Sequence, residues 1–570
     1  MNSSTDSSVK SYHRLDSIEE TKDFVAMLKR DNLAQDITPE SPYCMWSLAL
    51  SDQENGFIDY NSLGANIADF RRGAEQIEMP FTLITPLYSW TAAKKIVDLK
   101  VSSEYRKNDY EEYGFNKVDS INLNLGQKHV SISVFEKTLG STHIVGVAEN
   151  NFGIYRDVFD GSNQALYQSV ILGFGGYIGL KLVGIKPSVI QLVNAASCFA
   201  ALARLDELIQ NGMNFYEAMV YTRKHTIFSS FEAVDKVVFS RDQFLYYVLP
   251  NLKSEKLKKW LMNNFQNNLD LRELCIEMSE LKISPSRVMV DSLNDWKLVS
   301  NGINFKYWLP DDVYNFYMEK ELLDQFELRK DGAGERIEEI LAEDIKRLKN
   351  DARMDLNTVL NHYFDQKGLP VALPNDSILI SAIDCFNHFS QIELLFDDSE
   401  RLGDMLETHN AYIILCGGTD LGDTNKSEVL RSILSIIEVN PILHRRVHHI
   451  IDADELLVKK LLAGSDVILN LDENEYNSFD NDWMRAIINM NILVTTTDND
   501  LIDSRDDACL TVMGDTKEEE IESLYLQLET ALSACISDFD IEYWCHHGLD
   551  EFMAISSSTR MIKDYLQYVF

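Results

Sequence analysis

The chain has 570 residues, enough for two large domains. Hydrophobic residues make up 45% and charged residues 25%, the balance of a globular protein. Lysine and arginine number 53 against 90 aspartates and glutamates, and the net charge of −37 opposes nucleic-acid backbones and anionic membranes as partners. No apolar run reaches the roughly eighteen residues of a transmembrane helix. The first residues, MNSSTDSSVKSYH, lack the apolar core of a signal peptide. Eight cysteines are scattered singly with no zinc or redox spacing, so free thiols in a reducing cytoplasm are expected.

In chain order, residues 1–15 read as a flexible tail and Ser17–Leu33 as a charged surface helix. Tyr43–Leu50 is a buried-strand pattern, followed by a glycine-bearing turn at Gly64, a helix to about Ile77 and a strand at Phe81–Leu87. Val130–Glu136 and Thr142–Glu149 alternate as antiparallel strands. Gln164–Leu182 reads as a helix with Gly173, Gly175 and Gly176 inside it, and close packing explains those glycines. A strand at Ser188–Val193 is followed by a helix at Ala195–Gln210 and, further on, by a strand at Thr226–Ser230. Leu249 to about Lys282 reads as amphipathic helix, and Gly334–Leu360 as one long helix with a solvated charged face. From Ser377 the chain alternates strand and helix: strands at Ser377–Phe386, Ala411–Cys416, Val447–Ile451, Asp466–Leu471 and Ile492–Thr497, helices at Val429–Asn440, Asp454–Ala463 and Trp483–Met490. That alternation predicts α/β architecture with parallel sheets, and a ligand at the strand ends near the acidic loop Asp472–Asp482.

A collinear series of motifs from about residue 40 to the last helix resembles the α-glucan (glycogen, starch, maltodextrin) phosphorylase family. Leu63 and Gly64 match its Gly-Gly-Leu-Gly loop, with Ile67-Ala68-Asp69 behind them. Leu172–Gly176 and Val183–Pro187 match its glycine helix and the turn after it. Ser300-Asn301-Gly302 with Trp308-Leu309 is the closest match, and Ser558–Leu566 resembles the family's final helix. The resemblance implies two Rossmann-like domains facing across a cleft, of the GT-B type. It divides the chain into residues 16–283, residues 284–555 and a helix at 556–570 that crosses back.

The family's polar site residues are replaced. Asn194 and Ala196 stand in its Asn-Glu-Gly-His segment, and Phe231 replaces a sugar-contacting histidine. Cys385 and Ser390 stand at two phosphate-gripping cations. The loop Asn477-Ser478-Phe479-Asp480-Asn481-Asp482 has lost its glycines, and Asp480 and Asp482 repel an anion there. Arg485 stands where a lysine holds pyridoxal phosphate. A guanidinium stays protonated and forms no Schiff base, so the resemblance implies a chain without that cofactor. A salt bridge to a nearby aspartate is the other reading of Arg485. No residue is named as catalytic and no metal site is expected.

The expectation is a phosphorylase-like pseudoenzyme. It would act as a binding, accessory or regulatory subunit for a glycan or for another protein such as an active glycosyltransferase. Family members dimerise, which makes a homodimer the family's expectation. The alternative is an active, diverged glycosyltransferase using a sugar-phosphate or nucleotide-sugar donor. There Arg485 and Asn489 would face phosphate, and Glu475, Asp480 or Asp482 would face sugar. A third reading relocates the cofactor lysine to Lys459 or Lys460.

Overall fold

The computed structural model describes residues 37–57, 61–97, 100–126, 128–149, 164–231, 237–286, 290, 295–383, 386, 390–418, 424–471, 481–496 and 508–569. The expected tail, the helix at Ser17–Leu33, Glu475, and the site positions Cys385, Asn477 and Asp480 lie outside them.

The strands run in chain order as β1 (Tyr43–Trp46), β2 (Phe81–Pro86), β3 (Trp90–Val97), β4 (Lys100–Lys107), β5 (Asn116–Leu125), β6 (Lys128–Leu139), β7 (Thr142–Glu149), β8 (Val189–Val193) and β9 (Thr226–Ser229). There follow β10 (Val238–Ser240), β11 (Asn268–Asp270), β12 (Leu281–Ser284) and β13 (Trp296–Leu298). The second half carries β14 (Ile378–Ala382), β15 (Ala411–Cys416), β16 (Val447–Ile450), β17 (Val467–Asn470), β18 (Ile492–Thr496) and β19 (Leu510–Val512).

Nine strands form one sheet in the order β13-β12-β9-β8-β1-β2-β7-β6-β5. From β13 to β7 every pairing is parallel, and the chain reverses through β6 and β5. β1 lies at its centre, with Tyr43 opposite Phe81 on one side and Val189 on the other. The other large sheet has the order β16-β15-β14-β17-β18-β19, all parallel. Counted by appearance that is 3-2-1-4-5-6, the doubly wound order, which binds ligands outside the carboxyl ends of its strands. The cause is visible in the residues. β14 (ILISA) and β15 (AYIILC) are almost wholly buried, as strands covered on both faces by helices must be. Two small antiparallel pairs, β3-β4 and β10-β11, complete the strands among the described residues. Among the described residues no helix is long and apolar enough to cross a membrane, and the described cysteines are all free.

The expected glycine helix forms, with a wider turn at Ile171–Gly175. A Cβ on Gly173 would lie 2.4 Å from Phe199 Cβ, so only glycine lets this helix close on its neighbour. The final helix, Ser558–Val569, packs on the helix Ser62–Gln76, with Tyr565 edge-on to Phe70 at 5.5 Å between ring centres. Ile303 exchanges backbone bonds with the start of that helix and the residues leading into it: Ile303 N–H to Ser556 O (2.7 Å) and Ser558 N–H to Ile303 O (2.9 Å).

Two expected helices differ. Leu249–Lys282 is interrupted: a helix at Glu255–Asn264, β11, a helix at Leu271–Met278 and the start of β12. The reason is that β11 pairs with β10, so backbone groups that a helix would satisfy internally are satisfied across strands. Gly334–Leu360 is two helices, Ala333–Ile337 and Ala342–Leu360. The extended Leu341 separates them, and the Glu542 carboxylate accepts the Ala342 N–H at 2.7 Å. Its charges are not all solvated either. Lys349 and Arg353 turn inward, and Arg353 bonds Gly464 O at 2.6 Å, Ser377 O at 3.0 Å and Asp466 at 2.7 Å.

Candidate functional site

The carboxyl ends of β1, β8 and β9, adjacent in the sheet, gather Leu63, Gly64, Asn194, Ala196 and Phe231. Asn61 caps the helix Ser62–Gln76 by accepting the Gly64 N–H at 2.7 Å. A Cβ on Gly64 would meet Ser51 N at 2.7 Å, so this glycine is used up by the approach of the chain's own backbone. Leu63 and Phe231 are buried in one apolar cluster with Leu50 and Val193. Ala196 is buried in the short turn Ala195–Ser197. Asn194 holds φ 56° and ψ 170°, a region almost reserved for glycine. Its Oδ1 accepts the Phe231 N–H at 2.9 Å, and its own N–H donates to Ser229 O at 2.9 Å. This end of the sheet is therefore a packed, apolar corner that holds a strained asparagine by two bonds.

Ser390 is buried, and its hydroxyl accepts the Ile392 N–H at 3.3 Å. The sequence reading found no cation here. The structure supplies one: the Lys426 amino group, from the helix Thr424–Val439, bonds the Ser390 carbonyl. The physical reason it was missed is that the cation comes from a later element brought alongside by the parallel crossover.

Arg485 lies in the helix Asp482–Ile488, with its side chain fully buried. Its guanidinium donates to Asp482 Oδ1 at 2.6 Å, Asp69 Oδ2 at 3.0 Å and Asn66 Oδ1 at 3.2 Å. It stacks over Trp308, with Cζ 4.1 Å from the ring centre. Trp308 Nε1 in turn donates to Asp69 at 2.8 and 3.0 Å, and Asn481 Nδ2 donates to Asn66 Oδ1 at 2.6 Å. Asp482, expected to repel an incoming anion, is paired with Arg485 at 2.6 Å. Of the two readings of Arg485, the salt bridge is the one observed.

The network continues outward along the helix Ser62–Gln76, which carries Asp69. Arg72 reaches Asp69 (3.7 Å), Asp52 (3.4 Å) and Glu455 (3.5 Å), and Arg71 reaches Asp52 at 3.0 Å. Arg72 lies 3.3 Å over the Tyr307 ring, and Lys459 Nζ lies 4.3 Å from the same ring. Glu455 accepts the Gln53 N–H at 2.7 Å, while Gln53 Oε1 accepts the Leu456 N–H at 3.0 Å. Burial pushes the carboxyls of Asp69 and Glu455 up, and the neighbouring guanidiniums pull both back. Burial and the charge of Arg72 hold the Lys459 amine below its ordinary value. Lys459 is half-buried against Tyr307, whereas Lys460 pairs with Asp355 at 3.0 Å.

The sequence reading missed Asn66, Arg72, Trp308 and Glu455 as members of this cluster. One signal was present. Asn66, Asp69 and Arg72 are spaced three apart and so share one face of a helix whose residues from Ser62 to Ala74 are all buried.

No known family profile matches the sequence. The chain is 22% identical over 446 residues to the maltodextrin phosphorylase of Thermococcus litoralis, covering 71% of this chain and 53% of that protein. It is 22% identical over 455 residues to the glycogen phosphorylase of Aquifex aeolicus, covering 70% of this chain and 65% of that protein. The match thus spans less than two thirds of either relative's length.

Proposed function

We propose that this chain, distantly similar to maltodextrin and glycogen phosphorylases, is a phosphorylase-like scaffold that no longer performs phosphorolysis and works by binding. The observation that carries this reading is Arg485. The family's cofactor amine is replaced there by a guanidinium that is buried and bonded to Asp69 and Asp482. Pyridoxal phosphate does not fit these residues, because no Schiff base forms on Arg485 and its charge is already matched by two carboxylates. The apolar corner at Leu63, Ala196 and Phe231 supports the same reading, since it offers a sugar no polar side chain at the two histidine positions.

The arrangement proposed is two Rossmann-like halves, residues 16–283 and 284–555, facing across a cleft. The helix at 556–570 returns to the first half. The 3-2-1-4-5-6 sheet and the packing of the last helix on Ser62–Gln76 support it. The proposed setting is the cytoplasm. The proposed role is an accessory or regulatory subunit in glycan metabolism.

The test is the absorption spectrum of the purified chain, with borohydride trapping, peptide mapping and a glucan phosphorolysis assay. The expected result is no pyridoxal band, no trapped lysine and no sugar phosphate released. A reduced adduct on Lys426 or Lys459 with phosphorolysis would overturn the proposal.

One observation favours a second reading, an active glycosyltransferase with a different donor. Lys426 places a cation beside Ser390, just beyond the carboxyl end of β14, where a donor phosphate would sit. Turnover of a nucleotide sugar by the purified chain, lost in Lys426→Ala, would establish it.

A further inference from the structure

A pocket of about 350 Å³ opens between the helix Ala333–Ile337 and the helix Asp538–Phe552, within the range of small-ligand sites. Its lining includes Glu338, Glu542, Asp550 and Glu551, with no lysine or arginine among the described lining residues. The helix behind it, DFDIEYWCHHGLDEF, carries five carboxylates and no lysine or arginine at all.

The walls are fixed before anything binds. Glu542 accepts the Ala342 N–H at 2.7 Å, and His546 Nε2 donates to Ile340 O at 2.7 Å. His547 bonds Tyr543 O at 2.8 Å, and their rings lie 4.0 Å apart. Asp550 is held by Arg329. The pocket therefore combines two aromatic rings, tilted by 32° to each other, with carboxylates in a preset geometry. At its edge Phe539 is 76% exposed, and Ile536, three positions earlier, is 69% exposed. Large apolar side chains in open water beside a concave acidic site extend the contact beyond one ligand group.

We propose that this pocket docks an arginine side chain presented by a basic segment of a partner protein. A guanidinium fits both halves of the site. Its plane lies against an aromatic ring of the lining, Tyr543 or His547, and its fork reaches the carboxylates. The chain's net charge of −37 draws such a segment toward it. The exposed Phe539 covers one of the partner's flanking residues, which a free small cation would leave uncovered. The proposal does not depend on the loss of phosphorolysis.

The probe is a fluorescein-labelled peptide alternating glycine and arginine, titrated with the full chain at physiological salt and read by fluorescence polarisation. A lysine version of the peptide runs in parallel. Binding should saturate, with the arginine peptide tighter than the lysine one. The double variant Phe539→Ala, Glu338→Gln should raise Kd at least tenfold. Glu518→Gln, an equal charge change on another exposed helix, should leave Kd within twofold. Circular dichroism of each variant separates lost binding from lost folding. The proposal is overturned by unsaturable binding, by equal affinity for the two peptides, or by equal shifts in the pocket variant and the control. Each would mean attraction to net charge rather than docking in a site.

Discussion

Arg485 Nη2 lies 3.0 Å from Asp69 Oδ2, and the two side chains, 416 positions apart, are both withdrawn completely from water. The pair joins a helix of the nine-stranded sheet to a helix of the six-stranded sheet. Removing one partner of a buried pair leaves the other as an uncompensated charge, at a cost of about 3–5 kcal/mol. Arg485→Met should therefore destabilise the chain on that scale, seen as a fall in the urea midpoint. Arg485→Lys puts a primary amine at this position but cannot span Asp69, Asp482 and Asn66 together. It should lose about 1.5–3 kcal/mol, the value of one charge-assisted hydrogen bond, and gain no pyridoxal adduct. An adduct on the new lysine would sink the account of this site.

Gln53 and the helix Glu455–Gly464 exchange two bonds, Gln53 N–H to Glu455 and Leu456 N–H to Gln53. Glu455→Ala removes one and leaves Arg72 with a lost partner. Hydrogen exchange at residues 53–57 and 455–457 should speed up at least tenfold, with the centres of both sheets unchanged. Uniform acceleration across the chain would show that the contact is not local.

A Cβ on Gly302 would lie 2.4 Å from Ser557 O, where only backbone could yield. Gly302→Ala should destabilise by about 1–3 kcal/mol, the usual cost of overpacking. The change should loosen the final helix first, read as earlier proteolysis near its start. A thermal midpoint unchanged from the parent would contradict the packing.

Glu327 accepts the N–H groups of Phe305 and Lys306, both at 2.8 Å, at the start of the short helix Phe305–Trp308. Burial pushes its carboxyl up to about 7 despite those donors. The folded chain therefore takes up this proton at higher pH than the unfolded chain, whose carboxyl titrates near 4.5. This group's penalty is full above about 7 and fades as pH falls toward 4.5. Glu327→Gln should remove that component, so parent and variant should converge in relative stability as pH drops through this window. Denaturation midpoints at stepped pH give the comparison, and a constant difference between the two would refute it.

Much of the fold was legible because parallel strands covered on both faces announce themselves. β15 and β18 are short apolar runs rich in β-branched residues, and both form where the pattern placed them. The salt bridge of Arg485 was one of two readings its position offered, and it is the one the structure shows. Its partners were only half legible. Asp482 is three positions away on the same helix turn, but Asp69 is set beside it by how the sheets pack, which no local spacing encodes. The break before Ala342 was hidden likewise, since the Glu542 that caps it lies 200 positions on. Lys426 escaped because the motif sought a cation next to Ser390 in sequence rather than in space.

The helix Ser558–Val569 closes the face of a sheet whose central strand begins at Tyr43. A ribosome makes that strand early and that helix late. Throughout most of synthesis, Phe70 and its neighbours on Ser62–Gln76 wait without the cover that Tyr565 provides. The packing around Ser62–Gln76 is thus finished by a helix made several hundred residues later. Folding here cannot run to completion from one end to the other, and a nascent chain stalled before Ser558 carries an unfinished apolar surface for chaperones to hold.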